Sequence, residues 1–338
     1  MVPSGYSFLL SQTNFKGPCS SSKPHIQILG TLRAPHKDAW GGCSKMWLSI
    51  SGVKGLTVDG SGTVDGQGQA WWADPQVLDR CGELPAGIQF FHCDGLQMSG
   101  LAHINGPGSH VKVDQSNDVT ISHLTITSPK DSPNTDGIDV ANAERVSIQN
   151  CIIRTGDDCI AIKGGSHFIN ITEIHCGPGH GISVGSLGRN GAEEHVEDIR
   201  VWKCNIEGGE SAARIKTWPG GKGYARRISF EHITVSETRE PILIDQHYDH
   251  RGEEKEAVRV SEVGFRDIRG TCVDERAIVL DCAMVGCRDI QVEGIEIRSM
   301  DPEKPASAIC NHAYGSARDS SPPVSCLSRY LRPLLSLV

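Results

Sequence analysis

No stretch of this 338-residue chain approaches the ~18 consecutive apolar residues that a membrane-spanning helix needs, so no membrane partner is expected. Basic charge is also short. Lysine and arginine number 33 against 41 aspartates and glutamates, a net charge of −8. That balance argues against a nucleic-acid partner, whose footprint is basic, although a local basic cleft is compatible with it. No two of the 13 cysteines form a CxxC unit, which removes the usual spacing of structural zinc. Tight Asn-Gly turns between paired strands are scarce, which weighs against hairpin-built sandwiches and propellers.

What is abundant points elsewhere. The 38 glycines and 17 prolines are scattered between short β-branched runs, as in an all-β chain with many turns. Thirteen cysteines in a chain of this size favour an oxidising compartment, and the Asn170-Ile171-Thr172 sequon points the same way. The chain is therefore expected to be secreted. Its opening, MVPSGYSFLLSQTNF, has neither a basic n-region nor an apolar run long enough for a signal peptide. Either the native start is missing from this chain or the secretion argument fails.

One pattern recurs along the chain. Writing Φ for an apolar residue, Φ-x-Φ-x-x-Φ-x-Φ appears as VTISHLTI (119–126), VSIQNCII (146–153), INITEIHC (169–176), IRVWKCNI (199–206), ISFEHITV (228–235) and IQVEGIEI (290–297). Looser copies begin at LQMSGL (96–101) and VGFRDIRG (263–270). Alternation at period two turns the apolar side chains to one face, and the central x-x breaks the phase as a corner would. Stacked copies bury one continuous core, which is a parallel β-helix, a single-stranded solenoid. Cys151, Cys176 and Cys204 occupy Φ positions and are read as small buried hydrophobes.

Between the copies lie NTDGIDV (134–140), GDDCIAI (156–162) and GHGISVG (179–185), which set Asp136, Asp158 and His180 at intervals of 22 residues. Coils of that period stack the three on one wall, about 5 Å apart, at strand entrances where the corner exposes them, while Asp157 points elsewhere. Like charges so close raise at least one pKa, which is how paired aspartates supply both an acid and a base. Downstream, ARIKTWPGG (213–221) places Arg214 and Lys216 on one face of a strand, where they could hold an anionic substrate.

The stretches NTDG, GDD, GHG and RIK, in this order and spacing, resemble the polygalacturonases, the pectin-cleaving glycoside hydrolases. The resemblance extends through GPCSSSKPHIQILGTLRAP (17–35), DGQGQAWW (65–72), SVGSLG (183–188) and CNHAYGSA (310–317), and is greatest to plant members. It implies an all-β, right-handed parallel β-helix over residues 1–327 with a frayed tail at 328–338. It implies a monomeric, secreted cell-wall enzyme that hydrolyses α-1,4 bonds of polygalacturonate (pectin) with inversion, without metal or cofactor, and with endo action expected. By the same resemblance Asp157 is the general acid, Asp136 and Asp158 activate the water, and His180 tunes the carboxylates. Arg214 and Lys216 bind the substrate carboxylate, with Asn134 and Tyr248 supporting the substrate.

Plant members carry a secretion signal and an opening stretch before the equivalent of Val2, so by this resemblance the first coil here is uncapped with an apolar edge exposed, and after the tyrosine DHRGEEKEA (249–257) replaces the family's cysteine pair. The expected bridges are Cys159–Cys176, Cys282–Cys287 and Cys310–Cys326, with at least one thiol left unpaired. Two alternatives remain on sequence alone. One is a calcium-dependent pectate lyase on the same fold, although NTDG and GDD lack an oxygen-rich calcium loop. The other is a catalytically inactive wall-binding β-helix.

Overall fold

The repeat is visible directly in the computed structural model, which describes residues 1–40, 42–74, 76–249 and 256–327. Part of the segment after Tyr248, residues 250–255, and the tail expected to fray, 328–338, lie outside the described residues. Among the described residues, strands pair in parallel into a sheet of eleven and a bent sheet of twenty, wound as a right-handed parallel β-helix.

Each Φ-x-Φ-x-x-Φ-x-Φ copy contributes two arms to the twenty-stranded sheet, and the bend falls at its x-x. The second x adopts positive φ in every copy: Gly100 (77°), His123 (55°), Asn150 (53°), Glu173 (55°), Lys203 (53°), His232 (55°), Asp267 (51°) and Gly294 (64°). One left-handed residue turns the chain without breaking the stacking of the apolar positions on either side. Non-glycine residues pay a steric cost for this conformation. They hold it because the coils above and below make the same turn.

The interior is a set of aliphatic columns. Val119, Val146, Ile169, Ile199, Ile228, Val263 and Ile290 follow one another in register, each 2% exposed or less. Each such burial contributes about 1.5–3 kcal/mol. Phe230 and Phe265 stack in the same core with centroids 5.6 Å apart. The apolar edge of the first coil is as expected, with Tyr6, Phe8, Leu9 and Phe15 exposed.

Cys159–Cys176, Cys282–Cys287 and Cys310–Cys326 are bonded as expected. A fourth bridge, Cys43–Cys81, was not anticipated, because 38 residues separate its halves. Cys151 and Cys204 are free and buried, as their Φ positions suggested, whereas Cys176 is both buried and bonded.

The eleven-stranded sheet positions the site. Its inner column runs Ile138, Ile160, Ile182, Ala213 and Ile242, in register, on strands Ile138–Ala141, Ile160–Ile162, Ile182–Leu187, Ser211–Thr217 and Glu240–Asp245. Alternation then sends Asp139, Ser183, Arg214 and Lys216 to the outer face.

Candidate active site

Asp136, Asp158 and His180 each lie two residues ahead of a strand in that inner column, so the 22-residue interval does stack their backbones. The ladder continues through the corners: Gly137 N–H donates to Asp158 O at 2.9 Å, and His180 N–H to Asp157 O at 2.9 Å. The side chains do not simply follow. Asp157, expected to point away, receives its own chain's Asp158 N–H on Oδ1 (2.8 Å) and pairs with His180 Nδ1 at 2.9 Å. His180 therefore engages Asp157 rather than completing a column with Asp136 and Asp158. The corner backbone decides this, because it curls Asp157 back toward the coil that carries His180.

Exposure differs from expectation as well. Asp158 is 1% and Asp136 8% exposed. The corner does not open them to water, because the outer-face residues of later strands close over them. Ser183 Oγ donates to Asp158 Oδ1 at 2.7 Å, Lys216 Nζ to Oδ2 at 2.9 Å, and Arg214 to Oδ1, with Arg214 Nε also reaching Ser183 Oγ at 2.8 Å. Both cations that seemed poised for substrate are thus buried and paired with Asp158.

Three further residues complete the floor. Lys163 Nζ sits 4.0 Å from both Asp136 and Asp139, and Ser109 Oγ donates to Asp139 at 2.6 Å. Sequence reading missed all three. The only available signal was that Lys163 follows the alternation of GDDCIAI onto the outer face, one coil after Asp139.

These environments drive the carboxyls apart. Burial pushes the Asp136 carboxyl well above its ordinary value, and the neighbouring Asp139 and Asp157 add to the shift while Lys163 opposes it. Burial would also raise Asp158, but Arg214 and Lys216 outweigh it and hold that carboxyl well below the ordinary range. Asp157 is likewise pushed up by burial and brought below its ordinary value by the His180 hydrogen bond. Burial lowers His180, and the same bond to Asp157 more than reverses it, so His180 is raised. These environments favour the neutral form of Asp136 and the charged forms of Asp158 and of the Asp157–His180 pair.

The groove above this floor is walled on one side by Leu78, Glu83 and Leu84, next to the Cys43–Cys81 bridge, and on the other by Arg189 and Tyr248. Asn134 stands at its edge with φ 53°. The Lys216 ammonium lies 5.0 Å from the Tyr248 ring, which packs edge-on against Trp218 at 5.3 Å, and Arg189 stacks on Trp218 at 5.1 Å. All eight sequence-derived site residues meet at or beside this groove.

A water-accessible groove with carboxyls in opposed protonation states is the equipment of acid/base glycosidases, here on the outer wall of a parallel β-helix. The chain belongs to family 28 of the glycosyl hydrolases, whose model matches residues 1–318. It is 41% identical over 336 residues to a protein of Arabidopsis thaliana named as a probable polygalacturonase, covering 97% of this chain and 72% of that one. It is 37% identical over 322 residues to polygalacturonase-2 of Solanum lycopersicum, covering 93% and 70%. Among solved structures, the endo-xylogalacturonan hydrolase of Aspergillus tubingensis superposes with a TM-score of 0.81 at 26% identity, covering 93% of this chain and 90% of that one.

Proposed function

We propose that this chain hydrolyses α-1,4-galacturonosidic bonds of polygalacturonate by an inverting acid/base mechanism, acting on pectin outside the cell. The observation that carries the reading is geometric: Asp136, Asp157 and Asp158 converge on one groove floor, with His180 2.9 Å from Asp157 and Lys216 2.9 Å from Asp158, in a chain of family 28. The β-helix over residues 1–327 acts as one catalytic domain. A single chain carries every group invoked, so a monomer suffices.

Asp157 delivers the proton to the leaving oxygen. The proton it shares with His180, 2.9 Å away, moves onto Asp157 and from Asp157 to the leaving oxygen as the bond breaks, leaving Asp157 charged and His180 neutral. Asp136 and Asp158 activate the attacking water together, Asp136 by orienting it and the charged Asp158, fixed by Arg214, Lys216 and Ser183, by taking its proton. Asn134 and Tyr248 border the sugar. Since Arg214 and Lys216 are spent on Asp158, the uronate carboxylate is met by Arg189, which has no acidic partner among the described residues, and by Lys112. The raised pKa of Asp136 favours a second reading, in which Asp136 is the acid and Asp157 the base. A substrate whose leaving group needs no protonation separates the two, because only the variant lacking the acid is restored by it.

Four disulfides and the Asn170 sequon support secretion. A calcium-dependent lyase is disfavoured by how the acidic groups are used. Asp157, Asp158 and His180 lie close enough to share an ion, but both Asp158 oxygens are already taken by Arg214, Lys216 and Ser183. The deciding experiment is a reducing-end assay on polygalacturonate with chelator present. New reducing ends without an unsaturated, ultraviolet-absorbing product support hydrolysis, and oligomers appearing before monomer support endo action. An unsaturated product, or binding without new ends, would overturn it.

A further inference from the structure

On the sheet facing away from the groove, Phe168 breaks a rule its neighbours keep. It occupies a corner that each coil turns with positive φ, where the other copies of the repeat carry Gly95 or a charged residue: Asp118, Arg145, Asp198, Arg227, Glu262 and Asp289. Phe168 takes the same left-handed conformation (φ 56°), which is an outlier for a bulky side chain, and its ring is 53% exposed. His167 meets the ring edge-on at 5.7 Å, and the charged neighbours pair with one another instead of covering it. Arg145 reaches one coil back to Asp118 at 2.7 Å, and Asp198 one coil forward to Arg227 at 2.7 Å. The outer face of the Phe168 ring is therefore open to a ligand.

Two residues on, the same strand, Ser166–Thr172, carries the sequon. Phe168, Asn170 and Thr172 all project outward, while Ile169 and Ile171 are buried. Neither the Asn170 amide nor the Thr172 hydroxyl has a hydrogen-bond partner or is sealed from solvent among the described residues. The residues in register with Asn170 leave it room: Ser147 is small, and Arg200 is drawn toward Glu231 (3.7 Å) and the Trp202 ring (5.1 Å). Phe168 stands at the left-handed corner and Asn170 two residues on along the following arm, and both side chains leave the outer side of the coil.

We propose that Asn170 is an N-glycosylation site, and that the Phe168 ring is the platform on which the first N-acetylglucosamine of its glycan lies. The apolar C–H face of the sugar covers the ring, and the glycan stands clear of the substrate groove on the opposite sheet. In the modifying step, Asn170 Nδ2 bonds to the anomeric carbon of a lipid-pyrophosphate-linked oligosaccharide. The bond from that carbon to the pyrophosphate oxygen breaks, lipid pyrophosphate leaves, and the amide loses one proton. This inference rests on passage through the secretory pathway, which is part of the reading above.

The test uses the full chain, directed to the secretory pathway of yeast or plant cells by an added signal. Peptide mapping should find a glycan on Asn170, and Thr172→Ala should abolish it. Glycosylated protein should resist thermal inactivation about two- to fivefold longer than Thr172→Ala, and trimming to a single N-acetylglucosamine should keep that advantage. Phe168→Asn relieves the left-handed strain, so it should be neutral or stabilising in the Thr172→Ala background yet lose the glycan's advantage when glycosylated. A secreted, folded chain with Asn170 unmodified would overturn the site. An advantage that survives Phe168→Asn, or that needs the whole glycan, would overturn the platform. Absence of reducing-end activity in the glycosylated protein would count against the hydrolase reading and leave this site standing.

Discussion

Lys216→Ala separates two accounts of the same residue. If Lys216 serves only the substrate carboxylate, its loss raises KM on de-esterified substrate, spares methyl-esterified pectin and leaves stability unchanged. The structure predicts otherwise. Lys216 is 4% exposed, and its ammonium lies 2.9 Å from an Asp158 oxygen that is equally buried. Stripping one partner from a buried pair costs about 3–5 kcal/mol. Asp158 keeps Arg214 and Ser183, so about 2–3 kcal/mol is expected here. With an unfolding entropy of ~2.1 cal/mol/K per residue, a 338-residue chain loses about 3–4 °C in Tm. The loss should also depend on pH. Asp158 is held below its unfolded pKa, so its ion pairs contribute fully above that value and are lost as pH falls through the folded pKa. Removing Lys216 raises the folded pKa, so the deficit should be full near pH 7 and shrink in acid, before the wild type itself loses the contribution. Calorimetry at neutral and acidic pH, with kinetics on both substrates, reads all of this. An unchanged Tm with a penalty confined to de-esterified substrate would refute the argument.

Arg189→Gln should behave as Lys216→Ala does not. At the groove rim a carboxylate contact is worth about 0.5–1.4 kcal/mol, so KM on polygalacturonate should rise two- to tenfold, with kcat and Tm unchanged and the effect absent on methyl-esterified pectin. Asp157→Asn should abolish turnover while leaving oligogalacturonate binding largely intact. Asp136→Asn and Asp158→Asn should each be nearly as severe, with the double variant hardly worse, because both act on one water. An NMR time course should show the β-anomer first, and the α-anomer first would remove the inverting assignment. Replacing Cys43 and Cys81 by serine should cost about 2–4 kcal/mol through the 38-residue loop they close. Since that bridge adjoins the wall carrying Leu78 and Leu84, KM should rise with it.

Much of this molecule was legible in one dimension because a solenoid is nearly one-dimensional. The Φ-x-Φ-x-x-Φ-x-Φ copies announce the inner columns and the corners, and each coil's register is dictated by burying the same apolar face against the next. The same logic placed Asp136, Asp158 and His180 on adjacent coils, and put Arg214 and Lys216 together on an outer face. Tertiary structure alone decided what those side chains do. Asp157 turned to His180 because the corner backbone curls it there, a choice that period-two alternation does not encode. Arg214 and Lys216 closed on Asp158 because a carboxylate buried two coils away is a stronger partner than solvent. Lys163 and Ser109 carried no motif, Asp139 sat inside NTDGIDV with no sign of its partners, and Cys43 gave no hint of Cys81. Repetition writes the backbone into the sequence, whereas the charge state of a site depends on distances between chemically different side chains, which only the closed coil supplies.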